Sequence, residues 1–152
     1  ARASTNRLQL DLKKELSAAM KASGPSGAVE VCSQRASVLT AEVSEQMGFH
    51  VRRVSLQNRN PENQATPVEA SVLAMMAANP ALADTMIVRD AEPLYMRAIR
   101  INNSVCLNCH GAKEDLDPEV LSQLDALYAD DKATGFSEGD LRGAFVVKPL
   151  PQ

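Results

Sequence analysis

The alternation of apolar and polar positions divides the chain into helical and extended stretches. Leu8, Leu12 and Leu16 recur every four residues and Ala19 and Met20 continue the stripe, with charges on the opposite face, which predicts an amphipathic helix over 5–22. The run Ser23-Gly24-Pro25-Ser26-Gly27 ends it. A second helix is predicted over 27–47, closed by Gly48, with Cys32, Ala36, Leu39, Val43 and Met47 on its inner face. Residues 49–56 favour a strand, and 57–63 form a polar loop in which Asn60, before Pro61, is biased away from helix. Thr66-Pro67-Val68-Glu69 combines an N-cap, a proline in the first turn and a capping box, so a helix is predicted to about Ala78, with Val68, Val72, Met75 and Met76 facing in. Two strands over 84–90 and 93–101 flank a tight turn at Asp90-Ala91-Glu92-Pro93. A helix over 118–129 presents Val120, Leu121, Leu124 and Leu127, and a last strand covers 143–148. Helices early and strands late imply an α+β fold.

The length of 152 residues suits one domain, 1–152, large enough to bury a core. Aromatic residues make up only 3% of the chain and Trp is absent, so much of the packing volume has to come from elsewhere. The net charge of −3 gives no support for nucleic-acid binding, and no apolar run reaches the length of a membrane span. Residues 1–60 carry nine basic and five acidic side chains, whereas 61–152 carry seven and fourteen. That asymmetry reads first as a solvated surface and second as a field that steers a partner. The helix over 5–22 is expected either to pack on its own core or to pair with a second copy in a homodimer. A first residue other than Met agrees with a removed leader, and 148–152 reads as a polar end.

The chemistry concentrates in Cys106-Leu107-Asn108-Cys109-His110-Gly111. Thiols at i and i+3 project from one side of a helical turn. They can add to two vinyl groups on one porphyrin edge, and the next residue, His110, then lies where it can supply an axial imidazole. Gly111 lets the backbone approach the ring or turn away. Half a zinc site, a redox dithiol and chance are the alternatives. Zinc needs further ligands, and the remaining candidates, Cys32 and His50, are isolated from each other. A covalently bound haem would also offset the shortage of aromatics. Cys32 is then a leftover thiol on a buried stripe, which is normally a small hydrophobe but beside a haem is a candidate for the sixth iron position. Arg53 and Arg59 are candidates to balance propionate or thiolate charge, with simple surface pairing as the alternative, and Asn60 is a candidate to hydrogen-bond a propionate, with ordinary turn chemistry as the alternative. His50 reads as a strand-edge surface residue, and no acid–base cluster points to an enzyme. Small His/Met cytochromes carry the motif near the N-terminus with a Met well downstream, but here no Met follows Met96. A four-helix cytochrome would need helices at 49–56, 93–101 and 143–149, where the residues favour strands.

Beyond the motif, the chain resembles the single-haem, PAS-like periplasmic domains found on bacterial sensor kinases and chemoreceptors and as free-standing c-type cytochromes. The resemblance rests on Ala28-Val29-Glu30-Val31-Cys32, on Arg53 through Asn63, and on Leu94-Tyr95-Met96. It continues through the C-x-x-C-H-G motif, Asp131-Lys132-Ala133-Thr134-Gly135-Phe136 and Gly139-Asp140-Leu141-Arg142-Gly143-Ala144. It implies a PAS-like fold with N-terminal helices followed by a mainly antiparallel sheet. It also implies one haem c on Cys106 and Cys109, axial ligation by His110 and Cys32, and a pocket to which Arg53, Arg59, Asn60 and Tyr95 contribute. A thiolate ligand favours ferric iron, so a low potential is expected. The implied roles are electron transfer to a redox partner, or sensing in which reduction or a diatomic gas such as CO or NO displaces Cys32. Periplasmic location follows from the same resemblance. Ala98, Ala129 and Phe136 depart from the common family residues, which bears on the fine shape of the pocket alone.

Overall fold

The computed structural model describes residues 1–150; the last two residues of the polar run read over 148–152 lie outside the described residues. The N-terminal third is a long helix, α1 (Arg2–Met47), kinked at Gly24. There φ is 67° and ψ −171°, a combination open essentially to glycine alone. Pro25 follows at once, with a fixed φ and no N–H to give to the preceding turn. The two arms fold back on each other. Glu15 on the first pairs with Arg35 on the second at 3.2 Å, and Leu8 shares a core with Leu39 and Val43. The two helices read from the sequence are therefore a hairpin, with a break narrower than 23–27. Gly48, at φ 66°, caps the second arm.

Strands β1 (Phe49–Val54), β2 (Asp84–Arg89), β3 (Glu92–Arg100) and β4 (Leu141–Pro149) form one antiparallel sheet in the order β1-β4-β3-β2. Strand alternation divides its faces. Val54, Leu94, Met96, Ala144 and Val146 pack against helix α2 (Pro67–Ala78), while Val51, Tyr95, Phe145 and Val147 pack against α1. The predicted capping box is present, with Thr66 and Glu69 satisfying each other's backbone N–H. Met75, expected inward, is 56% exposed, and Leu73 is fully buried in its stead. The inner stripe is set by Glu69, Val72, Leu73 and Met76, which is the spacing of one helical face. Glu69 is buried and pairs with Arg52 at 3.2 Å. The β2–β3 turn places Asp90 and Ala91 at φ 51° and 65°, the left-handed pair that a two-residue hairpin requires.

Between the neighbouring strands β3 and β4 the chain makes a long excursion over 101–140. Its base is tied by two backbone hydrogen bonds, Ile101 N–H to Asp140 O at 3.0 Å and Gly139 N–H to Ile101 O at 2.8 Å. It carries α3 (Ser104–His110) and α4 (Pro118–Leu127). Val120 and Leu124 of α4 pack with Leu116 onto Val29 of α1, whereas Leu127 is 42% exposed. The segment after α4 returns across the end of α3, with Gly135 N–H on Gly111 O at 2.7 Å and Phe136 N–H on His110 O at 2.9 Å. The sheet's α1 face, the α1 hairpin and this excursion enclose one cleft.

Candidate functional site

The motif lies on α3, as the i, i+3 thiol spacing requires. Asn103 caps the helix by accepting from Cys106 N–H, and Gly111 ends it. A Cβ on Gly111 would sit 2.7 Å from the Leu107 carbonyl oxygen, so the glycine makes the turn itself. His110 Nδ1 is 2.7 Å from the carbonyl oxygen of Ala133. A carbonyl only accepts, so Nδ1 carries the proton and Nε2 is left with a bare lone pair. Phe136 meets the imidazole edge-on, with ring centroids 6.2 Å apart. Burial, with Arg142 and Arg59 nearby, pushes the His110 pKa down to about 3, so the ring stays neutral.

Two adjoining cavities of about 230 and 260 Å³ lie against this face of α3. Leu12, Arg53, Ile99, Arg100, Cys106, His110 and Arg142 line both. The larger one adds Cys109 and, from the second arm of α1, Cys32 and Ala36. The structure therefore brings Cys32, Cys106, Cys109 and His110 to one space, and all three cysteines are free thiols. Leu12, Leu16 and Met20, which the periodicity assigns to the inner face of α1, are only partly buried because they face this space rather than side chains. Burial raises the Cys32 thiol pKa, and Arg53 opposes that shift.

The other residues read from the sequence divide. Arg53 points from β1 to the α1 side, and its buried Nε has no partner among the described residues. Burial lowers the Arg53 pKa. Arg59 borders the cavity but is already engaged. It pairs with Asp131 at 3.0 Å and donates to the carbonyls of Cys109 at 2.6 Å and Ala133 at 3.2 Å. It thus ties the 57–63 loop to both the motif and the residue that orients His110. Asn60 lies outside the cavities. Its side chain caps the short turn at Pro61–Asn63 by accepting from Glu62 N–H. Tyr95 also lies elsewhere, because its place in β3 sends it into the Leu8–Leu39–Val43 core, where its hydroxyl meets Asp84 at 3.2 Å. His50 is exposed on the edge strand β1, and among the described residues no cluster of three or more His, Cys, Asp or Glu is arranged for a metal ion.

Sequence reasoning missed Arg142, Tyr128 and the Ala133 carbonyl. Arg142 sits 5.5 Å from the Phe136 ring and donates to Ser55 Oγ at 2.9 Å and Gln57 O at 3.0 Å. Its signal in the sequence was an arginine just ahead of the apolar run Gly143–Val147, within the block Gly139–Ala144. A backbone carbonyl leaves none, since every residue type provides one.

The profile of the Tll0287-like family matches residues 2–149. The chain belongs to the Tll0287-like family. Among solved structures it is similar to one titled "Crystal structure of the cyanobacterial heme-protein Tll0287", with a TM-score of 0.77 and 27% identity over 99% of this chain and 91% of that one. The comparison with curated proteins gave no match. The family agrees with the resemblance read from the sequence blocks, and the neighbour shares the α+β architecture. No helix among the described residues is long and apolar enough to cross a membrane.

Proposed function

We propose that this chain is a monohaem c-type cytochrome that transfers electrons at low potential, with His110 and Cys32 as the iron's axial ligands. One observation carries the reading: His110, its Nδ1 fixed on Ala133 and its Nε2 bare, shares an apolar cavity with Cys32, Cys106 and Cys109. A metal-ligating histidine is typically oriented by a hydrogen bond from its other nitrogen in this way. The solved relative's title as a heme-protein supports the same cofactor. A haem bound there supplies one-electron chemistry at iron. Cys106 and Cys109 would tether it through thioethers, and Leu12, Leu16 and Met20 would cover its face. Cys32, as an anionic donor, favours the oxidised state. We assign the protein to the periplasm as an electron carrier rather than a catalyst, its partner another redox protein.

Sensing is the second reading, and the position of Cys32 favours it. Cys32 lies eight residues beyond the Gly24 kink, on the arm that also packs α4 through Val29. Release of that sulfur on reduction, or by CO or NO, would free the arm to move.

Mass spectrometry of protein made with the haem-attachment machinery should give the chain plus one haem; an unmodified mass ends the proposal. Cys32→Ala should then remove the low-spin thiolate spectrum and raise the potential, and an unchanged spectrum places the sixth ligand elsewhere. A shifted Soret band when CO or NO meets the reduced protein selects sensing, and an unshifted band selects electron transfer.

A further inference from the structure

The two cavities differ in character although they share a wall. The smaller is lined by Gln9, Lys13, Ser55, Asn63, Asn102 and Asn103, the larger by Leu16, Met20, Ala28, Val29, Ala36 and Val105. Both are mainly apolar, the smaller also through Val54 and Phe145, and Arg53 and Arg142 border both, so they stand where the space with more polar side chains meets the more apolar one. We propose that these two arginines form a carboxylate clamp, receiving the acidic edge of a tetrapyrrole whose ring fills the apolar cavity.

The inference rests on the haem reading and adds to it the orientation of the group and a partner, Arg142, for its acids. Neither Arg53 nor Arg142 belongs to an ion pair among the described residues, and the Nε of each is buried without a partner. Two largely buried guanidinium groups on one cavity wall are costly unless an anion joins them. Burial, followed by Arg59 and Arg53 and opposed by Asp131, lowers the Arg142 pKa to about 10. No Asp or Glu lines either cavity among the described residues; Asp131, held by Arg59, favours the charged form of Arg142 and Cys32 that of Arg53, but no hydrogen bond joins either pair among the described residues. The remaining two arginines on the wall are committed to the fold. Arg59 holds Asp131, and Arg100 donates to Met76 O at 2.7 Å and Gly139 O at 3.3 Å. A guanidinium with an unused N–H beside a polar mouth suits a carboxylate in geometry and charge.

The test uses the haem-loaded protein and its Arg142→Gln, Arg142→Lys and Arg53→Gln variants. Resonance Raman reads the propionate bending bands, and equilibrium with a redox dye reads the ferric–ferrous balance. Arg142→Gln and Arg53→Gln should each shift a propionate band and favour the oxidised form about tenfold, equivalent to about 59 mV for one electron. Arg142→Lys should restore most of the balance but not the band, since it returns the charge without the fork. Arg142 also bonds Ser55 and Gln57; if its Gln variant does not fold, Arg53→Gln, with no such bonds, decides alone. Unmoved bands overturn the clamp, as does a shifted balance with the bands in place, which would mean that the arginines act on Cys32. A wild-type protein carrying no haem removes the haem reading itself, whereas loaded protein with unmoved bands removes the clamp alone.

Discussion

A buried imidazole whose outward nitrogen must stay unprotonated makes the fold sensitive to acid. The His110 pKa is about 3 in the fold, against an ordinary 6.5. Between those values the unfolded chain binds a proton that the native one refuses, so stability rises with pH across that window and is level above it. As pH falls from 6.5 towards 3, His110 should cost up to about 1.4 kcal/mol per pH unit. The sign is the same whether Nε2 is free or engaged, since both states exclude the proton. Urea unfolding at a series of pH values should show this slope, and His110→Gln, which keeps a donor for the Ala133 carbonyl, should remove it. Two residues away from that carbonyl lies Asp131, whose pairing with Arg59 is largely out of solvent, with side chains 8% and 12% exposed. Asp131→Ala would strand the guanidinium and release the Ala133 N–H that Asp131 Oδ1 accepts at 2.8 Å. The expected loss is about 3 kcal/mol of unfolding free energy, measured by urea denaturation; a loss below about 1 kcal/mol would mean that the pair behaves as a surface bridge.

Elements were legible in the sequence where a strong period met a clear stop. The α2 helix announced itself through Thr66, Pro67 and Glu69, and the α1 hairpin through its leucine stripe and Gly24-Pro25. The placing of Cys106, Cys109 and His110 on one short helix was legible because their spacing lies within one helical turn. What the sequence could not show was set by contacts between distant segments. The His110–Ala133 bond spans 23 residues and uses a backbone atom, and Arg142 reaches its place through the pairing of β4 with β1. Tyr95 went astray because strand parity, not residue type, decides which face an aromatic occupies. At the β2–β3 turn the sequence conflicts with its own geometry. Ala91 has φ 65°, where an L side chain is strained by roughly 1–2 kcal/mol per residue. Ala91 is exposed, so Ala91→Gly removes the strain without opening a void. It should stabilise the protein by about 0.5–1 kcal/mol, seen as a higher urea midpoint at unchanged slope. A lower midpoint would show that the unfolded chain gains more freedom from Gly than the turn loses in strain.

At the scale of the molecule, the cleft explains how a chain with 3% aromatics and no Trp is organised around its middle. The sheet has a complete core on its α2 face, where Leu73, Met76 and Met96 are fully buried. On the α1 face the core is complete only around Leu8, Leu39 and Val43; further along the hairpin, Leu12, Leu16 and Met20 border open space. If a tetrapyrrole fills that space, Leu16 contributes to stability only in its presence. Leu16→Ala should then cost about 2 kcal/mol or more in haem-loaded protein, as for a leucine truncated in a filled core. In protein made without the attachment machinery the same change should cost well under about 1 kcal/mol, because the side chain is already partly exposed. Parallel denaturation of the four species measures the difference directly. Equal costs in both backgrounds would mean that the hairpin closes on the cavity when nothing fills it. The first arm of α1 would then be a mobile cover rather than a fixed wall, and sensing would gain over simple electron transfer.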